Sequence, residues 1–111
     1  MTGPDSERVR ALNDAFRTSG FIRGGWLVTV GVQALGPALL LEAAERVKRF
    51  DRFDEDNDPH GEHDFGSFEL AGETLFWKID CYDLDRRFHS PDPGDPNVTC
   101  RVLTILLASE Y

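Results

Sequence analysis

Phe65-Gly-Ser-Phe-Glu-Leu-Ala-Gly-Glu-Thr-Leu-Phe-Trp-Lys-Ile-Asp-Cys-Tyr82 decides the fold. Two β-rich runs, 65–70 and 74–82, flank Ala71-Gly72-Glu73, and a glycine between alternating apolar runs signals a hairpin. Along the second run, Leu75, Trp77, Ile79 and Cys81 share one face, while Phe76, Lys78, Asp80 and Tyr82 share the other. Downstream, Val98 to Ala108 is β-branched early and apolar on both faces late, which predicts a central buried strand. Upstream, Trp26, Val28 and Val30 alternate with Leu27 and Thr29, predicting a further strand that runs to about Leu35. Gly24-Gly25 reads as the turn before it.

Helical spacing fills the rest. Val9, Leu12 and Phe16 form a stripe ending near Gly20, with Asp5 or Ser6 as cap, after a frayed tail at 1–5. Gly36-Pro37 opens a second helix with Leu40, Ala43, Ala44, Val47 and Phe50 on one face. Its other face carries Glu42–Arg46 and Glu45–Arg49 at the favourable four-residue separation. The order α-β-α-β-β-β predicts a single α+β domain over 1–111. An antiparallel sheet of about four strands is expected, with two helices packed on one face. Two long loops remain, an acidic one at 51–64 and a Pro/Asp-rich one at 83–97.

The chain has 111 residues and a formal charge of −8, from twenty acids and twelve bases. Its 41% hydrophobic content and eight phenylalanines fit a globular fold, not a disordered one. The acidity is local. Residues 1–50 hold seven bases and five acids, whereas 51–64 hold seven acids against Arg52 alone. This balance argues against direct nucleic-acid binding and against anionic membrane, since both require a basic surface. It suits a role that docks on a basic protein surface. Met1 to Arg10 lacks the apolar core of a signal peptide, and the longest apolar run, Ala38 to Leu41, cannot span a bilayer. A cytoplasmic setting is expected, with Cys81 and Cys100 as reduced thiols.

The stretch Asp54-Glu-Asp-Asn-Asp-Pro-His-Gly-Glu-His-Asp64 concentrates the chemistry. Asp54, Asp56 and Asp58 match the first ligand positions of an EF-hand, but Pro59 and Phe65 stand where glycine and a bidentate glutamate are needed. No cofactor is certain from these residues. A divalent metal is one expectation, held by Asp58, His60, Glu62, His63 and Asp64. The other is partner binding through Asp54, Glu55, Asp56, Asp58, Glu62 and Asp64. For catalysis the candidates are His60, His63, Lys78 and Asp80, since a lysine among carboxylates beside an imidazole can run acid–base chemistry. A Lys78–Asp80 pair on a sheet is also an ordinary structural ion pair. Asp83, His89 and Ser90 have triad residue types without a nucleophile elbow.

Four motifs together carry a resemblance: Asn57-Asp-Pro-His-Gly-Glu-His-Asp-Phe-Gly66, Trp77-Lys-Ile-Asp-Cys-Tyr-Asp83, Ser90-Pro-Asp-Pro93 and Arg101-Val-Leu-Thr-Ile-Leu-Leu-Ala-Ser-Glu-Tyr111. From about Leu12 onward the chain resembles the bacterial family catalogued as domain of unknown function 3768. The resemblance implies a small bacterial protein, often encoded on plasmids or other mobile elements. It carries no catalytic assignment, and it draws attention to Asp58, His60, Glu62, His63 and Asp64. Two functions are therefore expected to compete. One is an interaction module or inhibitor (anti-CRISPR-like, or mimicking nucleic acid) whose partner is a basic, nucleic-acid-binding protein. The other is a metal-assisted or acid–base hydrolase of phosphoesters, using 58–64 with Lys78 and Asp80.

Overall fold

A computed structural model describes residues 4–20 and 25–111. The chain runs through α1 (Pro4–Ser19), β1 (Trp26–Val28), α2 (Val30–Gln33), α3 (Pro37–Lys48), β2 (Phe65–Leu70), β3 (Glu73–Tyr82) and β4 (Cys100–Leu107). Short 3-10 turns at Pro96–Val98 and Ala108–Glu110 flank β4. The architecture is α+β, with the sheet in the order β1-β4-β3-β2.

The hairpin forms as its sequence predicts, closed by a tighter turn. Leu70 pairs with Glu73 across Ala71-Gly72. Both turn residues have positive φ, 53° and 81°, the geometry of the type I′ turn that matches strand twist. β4 lies between β3 and β1, so it is the central strand expected from its two apolar faces.

The fully antiparallel expectation does not hold. β2–β3 and β3–β4 are antiparallel, but β1 runs parallel to β4, with Trp26 opposite Leu103 and Val28 opposite Ile105. The expected strand to Leu35 also stops early, because Thr29 caps a short helix, α2, in place of continuing the ladder. Its hydroxyl accepts from the Val32 N–H at 3.4 Å and donates to Glu110 at 2.6 Å. Glu110 also accepts from the Gly31 and Leu107 N–H groups, tying α2 to the end of β4. These bonds, the one from Thr29 foremost, hold the Glu110 carboxyl below its usual range. The helices among the described residues thus number three, not two. α1 begins at Pro4, inside the segment expected to fray, whereas residues 1–3 and Gly24 lie outside the described residues.

α1 and α3 cover one face of the sheet. Ala43, Ala44 and Val47 of α3 join Leu75, Trp77, Ile79, Leu103 and Ile105 in one core cluster. Trp26 and Trp77 are almost wholly buried, each removing roughly 150–250 Å² from water. Trp77 fits because Gly66 stands opposite it; a Cβ there would strike the indole nitrogen and the Phe50 ring. On the opposite face, Tyr111 packs edge-on against Phe65 and Phe76.

Candidate functional site

The buried side of α1 is more polar than its periodicity implies. Val9, Asn13 and Arg17 recur every four residues, and all three are buried. Arg17, 4% exposed, donates from Nη1 to the carbonyls of Val47 (2.8 Å), Lys48 (3.2 Å) and Phe50 (3.0 Å). These carbonyls lie at and just beyond the C-terminal end of α3, where helical acceptors run short of partners and carry partial negative charge. The guanidinium also lies 5.4 Å from the Phe53 ring centroid and 5.2 Å from that of Trp77. Its Nη2 pairs with Asp14 at 3.2 Å. The Arg17 Nε has no partner, which subtracts from the gain.

Asp14 continues the network into the acidic loop. Its two oxygens stand 2.9 and 3.1 Å from Nδ1 of His63. A carboxylate accepts only, so the ring donates from Nδ1. The other ring nitrogen faces Asp58 at 3.5 Å, and Asp58 also accepts the His63 backbone N–H at 3.0 Å. The imidazole stacks on Phe53, with centroids 3.7 Å apart and planes 4° from parallel. His63 adopts φ 53°, a left-handed backbone held in place by these contacts. Arg10 donates to the Gly61 carbonyl and Asn13 to that of Glu62 at 2.9 Å. The second half of the acidic loop is thus clasped by α1.

The clasp turns Glu62 and Asp64 into a cleft of about 350 Å³. Val9, Ile79 and Pro93 supply apolar wall, and Asp80, Cys81, His89 and Ser90 border it. Burial raises the Glu62 carboxyl above its ordinary range, and Asp64 and Asp58 add to this while His60 opposes it. Burial likewise raises Asp64, with Asp58 and Asp80 adding repulsion against a lowering backbone hydrogen bond and His60. Among the described residues, neither carboxylate forms an ion pair.

The remaining predicted residues are dispersed. Lys78 is bound to Asp80 at 3.0 Å on the sheet face away from the helices, and that hydrogen bond raises the lysine. His60 is exposed, while His63 is held by Asp14 and Asp58. Asp54, Glu55 and Asp56 are exposed around a local turn in which Asp54 accepts from the Asp56 and Asn57 N–H groups. Among the described residues, no three His, Cys, Asp or Glu side chains converge as a metal-holding group. Asp83 accepts from the Arg87 N–H and Ser90 bonds Thr99, so Asp83, His89 and Ser90 make no relay. Cys81 and Cys100 are free thiols on adjacent strands but opposite sheet faces, since Cys100 registers with Tyr82. Burial raises the Cys81 thiol, which favours its protonated form.

Asp14, Asn13, Arg17 and Arg101 were not singled out by sequence. Arg101 donates from Nε to Asn13 at 2.8 Å and from Nη2 to the Pro93 carbonyl, closing the cleft's far wall. Their one sequence signal is the four-residue recurrence of Asn13 and Arg17 on a helix whose neighbour ends in unsatisfied carbonyls.

The family model described as "Protein of unknown function (DUF3768)" matches residues 28–110. The chain belongs to this family. Neither the curated proteins nor the solved structures compared with it provide a match. For this DUF3768 member, the matched span contains the cleft's acidic and β3 walls, while α1, which clasps them, precedes it.

Proposed function

We propose that this protein is an interaction module whose acidic cleft receives an arginine or lysine from a basic partner. One observation carries the reading: Glu62 and Asp64 are half-buried and unpaired in a cleft that also has apolar walls. Val9, Ile79 and Pro93 suit the methylene stem of a long cationic side chain, and the carboxylates suit its head. A carboxylate raised by burial and by like charges loses that repulsion when a cation arrives, which favours binding. The exposed Asp54, Glu55 and Asp56 extend the acidic surface beyond the cleft and favour encounter with a basic partner. The concrete form is an inhibitor, encoded on a mobile element of a bacterium, that covers the phosphate-binding surface of a nucleic-acid-binding protein.

The test titrates a labelled arginine-rich peptide with the protein at ~50 mM and ~500 mM salt. Binding at low salt that falls at least about tenfold in Glu62→Gln/Asp64→Asn supports the reading. Binding unchanged by that double substitution, or absent at low salt, overturns it. Affinity capture with mass spectrometry then names the partner.

A second reading, an acid–base hydrolase of phosphoesters, is favoured by Asp64 and Asp80 bordering one cleft, since a carboxyl raised by burial, as Asp64 is, can serve as an acid. The carboxylates around the cleft repel a phosphoester unless a cation lies between, so this reading ranks second. It predicts phosphoesterase turnover with added divalent metal that disappears in His60→Ala/His63→Ala.

A further inference from the structure

The outer edge of β2 has an electrostatic character opposite to that of the cleft. β2 ends the sheet, and the bond from the Ile79 N–H to the Asp64 carbonyl fixes which of its backbone groups face inward. In an antiparallel ladder that direction alternates, so the N–H and C=O groups of Phe65, Ser67 and Glu69 face outward. Among the described residues, only the Glu69 carbonyl is satisfied there, by Arg46 at 3.3 Å. An open edge is a ready template for another strand.

Beside this edge lies a groove of about 500 Å³, lined by Arg46, Arg49, Phe50, Arg52, Phe68 and Ser67 with the carboxylates of Asp51 and Glu69. Arg46 is shared with Glu42 at 3.1 Å, and Glu69 accepts from the Thr74 hydroxyl at 2.6 Å. Arg49 and Arg52 are exposed and form no ion pair among the described residues. On a chain of net charge −8, three arginines against Asp51 and Glu69 leave this strand edge with a slight excess of positive charge, carried by Arg49 and Arg52. Phe50 and Phe68 give the groove an apolar floor.

We propose that this edge binds an extended acidic peptide of a partner protein as a fifth strand. The outward backbone of Ser67 supplies the strand hydrogen bonds, and Arg49 and Arg52 receive alternate carboxylates. A strand presents every second side chain to one side, so the peptide that fits alternates acidic with apolar residues. This site uses none of the cleft residues, and it stands or falls independently of the basic-partner reading.

The probe is a labelled octapeptide of alternating Glu and Val, compared with an equally charged Glu/Pro octapeptide that cannot form a strand. At ~50 mM salt the Glu/Val peptide is expected to bind at least about tenfold more tightly. Hydrogen exchange at the Ser67 amide should slow on binding. Ser67→Pro deletes the outward N–H without touching the β2–β3 ladder and should cost about tenfold or more. Arg49→Glu/Arg52→Glu should do the same, and serves alone where Ser67→Pro fails to fold. Absence of Glu/Val binding overturns the proposal, as does equal binding of the Glu/Pro peptide. Tighter binding of an eight-nucleotide single-stranded DNA assigns the arginines to phosphate and also overturns it. A salt-sensitive dimer in the absence of peptide assigns the edge to a second copy and overturns it as well.

Discussion

The two long irregular segments are held in different ways. Residues 83–97 are fixed by turns of their own side chains and by the strand that follows: Asp83 accepts from the Arg87 N–H, Asp92 from Gly94 and Asp95 from Asn97, while Thr99 and Arg101 donate to the Asp92 and Pro93 carbonyls. Residues 58–64 add to the local Asp58–His63 bond a hold from far along the chain, by Arg10, Asn13 and Asp14 of α1. Asx turns of the first kind are written into adjacent residues and survive changes elsewhere. A clasp of the second kind exists only when the helix is docked, so the acidic cleft inherits the stability of the α1 interface.

The largest break in that contrast should come from Arg17→Ala, which takes the guanidinium from the Val47, Lys48 and Phe50 carbonyls and leaves Asp14 with His63 alone, and should cost about 3 kcal/mol by urea denaturation. Arg17→Lys should recover little of this, because an ammonium lacks the planar face set against Phe53 and Trp77 and the second nitrogen that reaches Asp14. Asn13→Ala removes the bonds to Glu62 and Arg101 together and should cost about 1–3 kcal/mol. Its signature is faster amide exchange across 58–64, with a smaller change in 83–97 confined to the surroundings of Pro93. His63→Ala should likewise speed exchange across 58–64, at about 1–2 kcal/mol. Asp95→Ala loses one local cap and should cost about 0.5–1 kcal/mol, with exchange altered only near Asn97. If Asp95→Ala destabilises as much as Asn13→Ala, the distinction between local and distant hold fails.

The smallest effect concerns pH. Glu62 and Asp64 have raised values in the fold, so between their ordinary and raised values the folded state binds more protons than the unfolded state. Their contribution to stability is therefore highest at low pH and falls as pH rises through that window. Glu62→Gln/Asp64→Asn should raise the melting temperature at neutral pH and flatten its pH dependence. A double variant that melts lower at pH 7 than the parent would contradict the burial described for the cleft.

Much of the hairpin, the central strand and α3 was legible, because alternation and helical spacing are properties of neighbouring residues. The β3 face of Leu75, Trp77, Ile79 and Cys81 is an example. The parallel pairing of β1 was not legible, since Trp26 finds Leu103 only through the whole topology. Nor did Thr29 announce itself as a cap, because Val28-Thr29-Val30 has the composition of a strand and its deciding bond comes from Glu110. In the candidate site, Glu62 and Asp64 were anticipated, whereas Asn13 and Arg17 were hidden. A hydrophobic pattern registers apolar residues and cannot see polar ones that are buried by satisfying distant carbonyls.

The parallel pair also sets an order of events during synthesis. β1 emerges early from the ribosome, yet its hydrogen-bonding partner is the central strand at 100–107. Until that strand is made, Trp26 has no sheet to enter, while the β2–β3 hairpin can close by itself within microseconds. Closing β1 onto β4 is a long-range contact of the kind that slows folding.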